Sequence, residues 1–158
     1  MYLELEDILE VCKSAYDSLT AEDKNESLLA DILGAMGLHW GHRGFFILSE
    51  LNIRKANRIR SSQENKDYFA ISWSEVNLSN VTASAGRFDE ALALQLKAEE
   101  SRKRAWTEAS QISKDEGVIY QNLGRCYSLV ERFDEARVHL DEAVSIFERS
   151  ENWAMLAL

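Results

Sequence analysis

Proline is absent from all 158 residues of the chain, where average usage of about 5% would place roughly eight. No residue interrupts a helix by removing a backbone donor, and there are only 7 glycines. The composition therefore favours long, uninterrupted helices over a turn-rich architecture. Cysteine is nearly missing as well. Cys12 and Cys126 lie far apart at apolar positions of helical patterns, which predicts buried free thiols and not an oxidised framework. No apolar run approaches the roughly 18 residues that a membrane span requires. The acidic start, Met1-Tyr2-Leu3-Glu4-Leu5-Glu6, is unlike a signal or transit peptide. The expectation is a cytoplasmic protein without a membrane partner.

Cations are outnumbered, with 18 Lys and Arg against 27 Asp and Glu, a net charge of −9 and a pI near 4.9. This argues against nucleic acid as a main partner, because phosphate contacts need clustered Lys and Arg. The one basic run, Arg102-Lys103-Arg104, is expected on a solvated helix face. Signatures of chemistry are missing too: no Gly-rich phosphate loop, nucleophile elbow or Cys–His pairing occurs. His39 and His42 stand three apart and can share a helix face, but a metal needs at least one more well-placed ligand, and no motif supplies it. His139 is isolated. The carboxylates Glu4, Glu6, Asp7, Glu22 and Asp23 fall at helix faces and ends, where they solvate the surface. No enzyme, metal or cofactor is expected.

What the chain does have is apolar content, 46%, arranged periodically. Arg-Phe-Asp-Glu-Ala occurs at 87–91 and again at 132–136, 45 residues apart. Asn77-Leu78-Ser79 and Asn122-Leu123-Gly124 precede the two copies at the same offset. A fixed period in this range means a stacked array, not one closed core. In the later copy Tyr120, Leu123, Gly124 and Tyr127 form one helical stripe, with Gly124 small enough to admit a neighbouring helix. After a turn at 130–132, Phe133 opens a second helix with Ala136, Leu140, Ala143 and Phe147 inward. In the earlier copy Leu78, Ser79 and Thr82 fill the first helix. Gly86 makes the turn, and Phe88, Ala91, Leu94 and Ala98 line the second. Asp89-Glu90 and Asp134-Glu135 sit in first turns, where acids favour the helix dipole.

These slots resemble the tetratricopeptide repeat: an aromatic, Leu-Gly, Tyr, a glycine turn, then aromatic-Asp-Glu-Ala and a later small residue. Tyr120, Leu123-Gly124, Tyr127, Phe133, Asp134-Glu135-Ala136 and Ala143 match, with Glu131 in place of the turn glycine. Leu78, Gly86, Phe88-Asp89-Glu90-Ala91 and Ala98 match in the other copy, with Ser79 for the packing glycine and Thr82 for the tyrosine. The resemblance implies an all-α fold, an α-solenoid of antiparallel helix pairs wound as a right-handed superhelix. The period exceeds the usual one by about 11 residues, which Ser61–Asp67 and Thr107–Glu116 accommodate. Long units of this kind resemble the arrays of kinesin light chains and the C-terminal arrays of fungal STAND-type nucleotide-binding receptors. The Asn-Leu first helices and the acidic start are closer to the fungal arrays.

Extending the 45-residue step towards the N-terminus places Gly34 opposite Ser79, Gly41 opposite Gly86 and Phe46 opposite Ala91. Leu33-Gly34 and Gly41 then define a degenerate unit whose second helix carries Leu48, Leu51, Ile53 and Ile59. Leu5, Ile8, Leu9, Cys12, Tyr16 and Leu19 form one further apolar stripe. The expected organisation is an unpaired second helix at 1–20, a degenerate unit at 26–62, units at 67–108 and 113–149, and the start of a truncated unit at 152–158. Both ends fall out of phase with the repeat, which points to a fragment of a longer array. Trp153, Met155 and Leu158 would then expose an apolar end able to self-associate.

Arrays mostly present surfaces to partners, so the expected function is a protein-interaction module that holds a peptide or partner domain in the concave groove. The competing expectations are a structural or sensor segment packed on its own parent protein, or a non-catalytic regulatory subunit. The candidate groove residues are Asp31, Leu38, His39, Asn77, Asn80, Gln121, Asn122 and Arg125. Ala35, Val76, Ala83 and Ser128 are expected on the same surface. The resemblance implies that Asn77 and Asn122 reach a peptide backbone; an asparagine that bonds the preceding loop is the equal alternative. Repeats that bind acidic chaperone tails carry a clamp of lysines, arginine and asparagines. Here the slots hold Asp31, Ala35, Asn77, Val118 and Asn122, so that ligand is not expected.

Overall fold

Asn25 opens the first long helix by accepting the backbone N–H groups of Ser27 and Leu28 on its side-chain oxygen. Asp67 accepts from Ala70 N–H at 3.0 Å in the same way at the start of another. Such caps satisfy donors that a helix start leaves open. The computed structural model describes residues 5–18, 25–106 and 114–149. Among these the secondary structure is helical throughout: α1 (Leu5–Ser18), α2 (Glu26–His42), α3 (Phe46–Ser62), α4 (Tyr68–Ser84), α5 (Phe88–Trp106), α6 (Lys114–Leu129) and α7 (Phe133–Arg149). Leu19, Trp153, Met155 and Leu158 lie outside the described residues, as do the side chains of Leu5, Ile8, Leu9 and Cys12.

Three turns of one construction join α2 to α3, α4 to α5 and α6 to α7. Gly44, Gly86 and Glu131 each hold a left-handed φ, of 82°, 78° and 61°. In each turn this residue's N–H donates three residues back, to Gly41, Ala83 or Ser128. The next N–H donates five back, to Trp40, Thr82 or Tyr127. The pattern is a Schellman closure, which satisfies the last carbonyls of a helix. Glycine holds the conformation without strain at two turns; Glu131 holds it against the steric preference of an L-residue.

The turns correct the register of the first unit. Positions 44 and 86 are 42 residues apart, and 86 and 131 are 45 apart. The uniform 45-residue step therefore fails towards the N-terminus. Gly44, not Gly41, is the turn glycine. Phe46 stands with Phe88 and Phe133 as the first residue of a second helix, and not with Ala91.

The helix–helix crossings follow the corrected register. A Cβ on Gly37 would lie 2.5 Å from Ile53 Cγ1 and 3.1 Å from the Ser49 carbonyl; one on Gly124 would lie 2.5 Å from Leu140 Cγ and 3.1 Å from the Ala136 carbonyl. Gly37, not Gly34, is thus the close-packing glycine. At Gly34 a Cβ would meet only the Arg60 guanidinium, at 3.6 Å. Ser79 holds the same place in α4 and donates its hydroxyl to the Ala91 carbonyl at 2.8 Å. Across α2–α3 the donor sits on the other helix, with Ser49 Oγ donating to the Gly37 carbonyl at 2.6 Å. All three pairs place small residues where backbones approach.

The pairs stack in chain order, α1 on α2, α3 on α4 and α5 on α6. The first helices also meet, α2 with α4 and α4 with α6, whereas the backbones of α3, α5 and α7 stay apart. The array therefore curves with α2, α4 and α6 on its concave side. The core runs along it as clusters: Ala30, Leu33 and Ala56; then Ile53, Leu78, Val81 and Leu94; then a larger group around Val76, Ala91, Ile119, Leu123 and Tyr127. Burial of apolar area on this scale, at about 25 cal/mol per Å², is what holds one pair on the next.

Several side chains depart from the sequence-based expectation. Val76 and Ala83 are core residues, not groove residues. Leu48 and Leu51 are exposed, because the 42-residue step turns them outward. Arg102 is 0% exposed, so only Lys103 and Arg104 of the basic run meet solvent. Its guanidinium carbon lies 4.1 Å from the Phe69 ring centroid and 5.0 Å from that of Trp73. Two aromatic faces thus receive a cation that a polar run of sequence disguises.

Candidate partner-binding groove

Two cavities lie on the concave face between α2 and α4, of about 310 and 350 Å³. Leu38 and Asn77 line both, so the two adjoin as a channel along this face, bordered midway by these two side chains. The channel follows from the helix phase: Asn77 and Asn80 are three apart on α4, one turn of the same face, and Leu38 faces them from α2. Towards one end the walls are Phe69, Trp73 and Ala35; towards the other, His42, Phe46 and Ser84. The lining is mainly apolar, with aromatic rings and a few amide, hydroxyl and imidazole groups, and is not a charged cleft.

The charges of the channel are engaged. Arg60 donates to Asp31 Oδ1 at 2.7 Å and to Ser74 Oγ at 2.6 Å, tying α3 to both first helices. Arg125 donates to Asn80 Oδ1 at 2.9 Å, tying α6 to α4. The amides of Asn77 and Asn122 are half-buried. Gln121, Asn122 and Arg125 sit one helix further along the concave side and line neither cavity. His39 lines neither cavity; its ring meets Trp40 edge-on at 5.7 Å. Of the candidate residues, the structure thus gathers Leu38, Asn77 and Asn80 on one channel, with Asp31 at its end and Arg125 adjoining it. Sequence reasoning missed Trp73, Phe69 and Arg60. Trp73 lies four residues before Asn77, on the same face, and that spacing was the available signal.

Outside the channel, Glu50 accepts from Arg87 and, at 2.8 Å, from Arg54, while Arg54 also reaches Glu90 at 2.7 Å. The Arg87 hydrogen bond, with help from Arg54, holds the Glu50 carboxyl below the usual carboxylate range. Glu75 is the opposite case. Burial between α4 and α5 pushes its pKa up, although the Ser101 hydroxyl donates to it at 2.7 Å. Burial likewise raises the Cys126 thiol, whose sulfur lies 3.6 Å from Ser79 Oγ, and so disfavours the reactive thiolate. Among the described residues, no three His, Cys, Asp or Glu side chains group as metal ligands do. No helix among them is long and apolar enough to cross a membrane.

Residues 76–105 and 118–151 match the family model of the tetratricopeptide repeat. These two segments are similar to tetratricopeptide repeats. The fold of the chain is similar to the crystal structure of BtubC (BKLC) from P. vanneervenii, with a TM-score of 0.74 over 93% of this chain and 57% of that one. At 17% identity this likeness concerns the fold. The chain spans little more than half the length of that relative. No curated protein sequence matches it. Tetratricopeptide repeats serve in general as protein-interaction modules, and solenoids of this kind use their concave surface for the purpose.

Proposed function

We propose that the concave channel of this repeat protein holds an extended segment of a partner protein, without catalysis and in the cytoplasm. The observation that carries this reading is that two adjoining cavities lie along the concave face and share Leu38 and Asn77. An extended chain laid along α2 and α4 meets Leu38, then Asn77, with Asn122 one unit further. Primary amides both donate and accept, so they hold a main chain without dictating its side chains.

Asp31 is paired with Arg60, and Arg125, whose hydrogen bond to the neutral Asn80 amide leaves its charge in place, stands as a single cation beside the channel. A ligand rich in acids finds no cation cluster, and the net charge of −9 disfavours its approach. The partner segment is therefore neutral or mildly basic, and its encounter rate falls with added salt. The test uses a partner recovered by pull-down with the whole chain. Replacing Asn77 and Asn122 together by Ala should weaken its binding by about 1–3 kcal/mol if each amide loses one net hydrogen bond. Titration calorimetry measures this. Unaltered affinity in a folded double variant removes the amides from the mechanism.

A further inference from the structure

The second surface of interest lies away from the channel, at the turn into α3. The three unit turns share one backbone conformation, so they serve as internal controls for one another. In the later two turns the positions around the helix start hold Arg87, Asp89 and Glu90, or Arg132, Asp134 and Glu135. Each arginine closes onto its glutamate, Arg87 to Glu90 at 2.8 Å and Arg132 to Glu135 at 2.6 Å. The same positions in the first unit hold Phe45, Ile47 and Leu48, which are 50%, 84% and 42% exposed. Leu51, a helical turn on, is 65% exposed. The turn itself does not require these residues, because charged side chains build it twice elsewhere in the chain, although Phe45 also meets the Trp40 ring edge-on at 5.4 Å. Contiguous exposed apolar surface of this kind marks an interaction site. A cavity of about 510 Å³ lined by Gly44 to Leu48 lies within it.

The exposed face of α3 then changes character. After Ile47, Leu48 and Leu51 come Arg54, Lys55 and Arg58, all exposed. The one acid of the helix, Glu50, is taken up by Arg87 and Arg54. Lys55 and Arg58 form no ion pair among the described residues. A basic strip of this kind is anomalous in a chain of net charge −9. From Ile47 to Arg58 the face extends roughly 16 Å, about three helical turns.

We propose that the turn at 44–48 and the outer face of α3 dock an acidic amphipathic helix of a partner protein. Its apolar residues sit on Phe45, Ile47, Leu48 and Leu51, and its carboxylates face Lys55 and Arg58 about two turns away. Charge favours this occupant over an anionic bilayer. A flat anionic surface would also meet the exposed Asp89 of the neighbouring turn, which a single helix seated along α3 need not touch.

The test uses the full chain and two synthetic amphipathic helical peptides, alike in their leucines and differing in Glu or Lys at the polar positions. The Glu peptide should bind saturably in titration calorimetry and the Lys peptide should not. The triple variant Phe45→Arg, Ile47→Asp, Leu48→Glu rebuilds the turn of the other units, so it should fold, with a Tm lowered at most by the loss of the Phe45–Trp40 contact, and lose binding by roughly tenfold or more. Lys55→Glu with Arg58→Glu should do the same through charge. Asn77→Ala with Asn122→Ala should leave this binding unaltered, which separates it from the channel. Three results overturn the proposal: no saturable binding of the Glu peptide, equal binding of the Lys peptide, or wild-type affinity in the triple variant. Binding to phosphatidylserine vesicles that the triple variant loses would assign the face to lipid instead. Self-association in sedimentation velocity that the triple variant abolishes would assign it to a second copy.

Discussion

Arg125 donates to Asn80 Oδ1 at 2.9 Å across a sequence separation of 45 residues. The two residues occupy one position in successive units, so the bond clips neighbouring first helices together on the concave side. A double-mutant cycle with Arg125→Ala and Asn80→Ala should give a coupling of about 0.5–1 kcal/mol in denaturant stability, the size of a net hydrogen bond at an exposed site. Additive losses would show that the clip contributes nothing.

Gly37 and Gly34 make opposite predictions although they share a helix. A Cβ at position 37 meets the buried Ile53 and the Ser49 backbone, neither of which can move aside. Gly37→Ala should cost about 1–3 kcal/mol, the range of overpacking. At position 34 a Cβ has room, and removing a mid-helix glycine should stabilise by about 0.5–1 kcal/mol. Thermal melts of the two variants decide it, since equal shifts would contradict the 42-residue register.

Glu131 pays a backbone cost that Gly44 and Gly86 avoid. Glu131→Gly should raise stability by up to about 1 kcal/mol, the left-handed penalty less the added freedom of the unfolded chain. A lower denaturation midpoint would show that the Glu131 side chain contributes more than its φ costs.

Glu75 should make stability depend on pH in the sense opposite to Glu50. Burial raises the Glu75 pKa in the folded state, so the folded chain holds that proton more tightly than the unfolded one. Its contribution therefore improves as pH falls through the raised value to the ordinary carboxylate range, and is worst above it. Glu75→Gln, which can still accept from Ser101, should stabilise at neutral pH, and the gain should fade on acidification. Glu50, held low by Arg87, contributes stability above the ordinary carboxylate range and loses it as pH falls through its depressed value. Urea midpoints against pH for each variant separate the two.

The repeat and its helix pairs were legible because Arg-Phe-Asp-Glu-Ala occurs twice without change. The turn and packing glycines of the first unit were set three residues off because that pentapeptide is absent from it, leaving only an assumed uniform step. A weaker signal was available. Gly44-Phe45-Phe46 matches Gly86-Arg87-Phe88 and gives the 42-residue step directly. The groove was legible in part, since Leu38, Asn77 and Asn80 follow from helix phase. Arg60 and Arg102 were not, because their partners, Asp31, Ser74, Phe69 and Trp73, come from other helices. A charged residue in a polar run shows its burial only once tertiary neighbours are known.

The outer helices α3 and α5 keep their backbones apart and are joined at one edge by Glu50, Arg54, Arg87 and Glu90. Mechanically the array is a row of wedges hinged along its thin inner margin, with an ionic strap across the thick outer one. Tension in such a strap depends on the electrolyte, because exposed charges are screened within about a Debye length. Added salt should therefore slacken the outer margin, while the apolar packing of α3 on α4 around Ile53, Leu78 and Val81 holds. The angle between the first two units, and with it the width of the channel between α2 and α4, should then respond to the ionic medium as well as to the sequence.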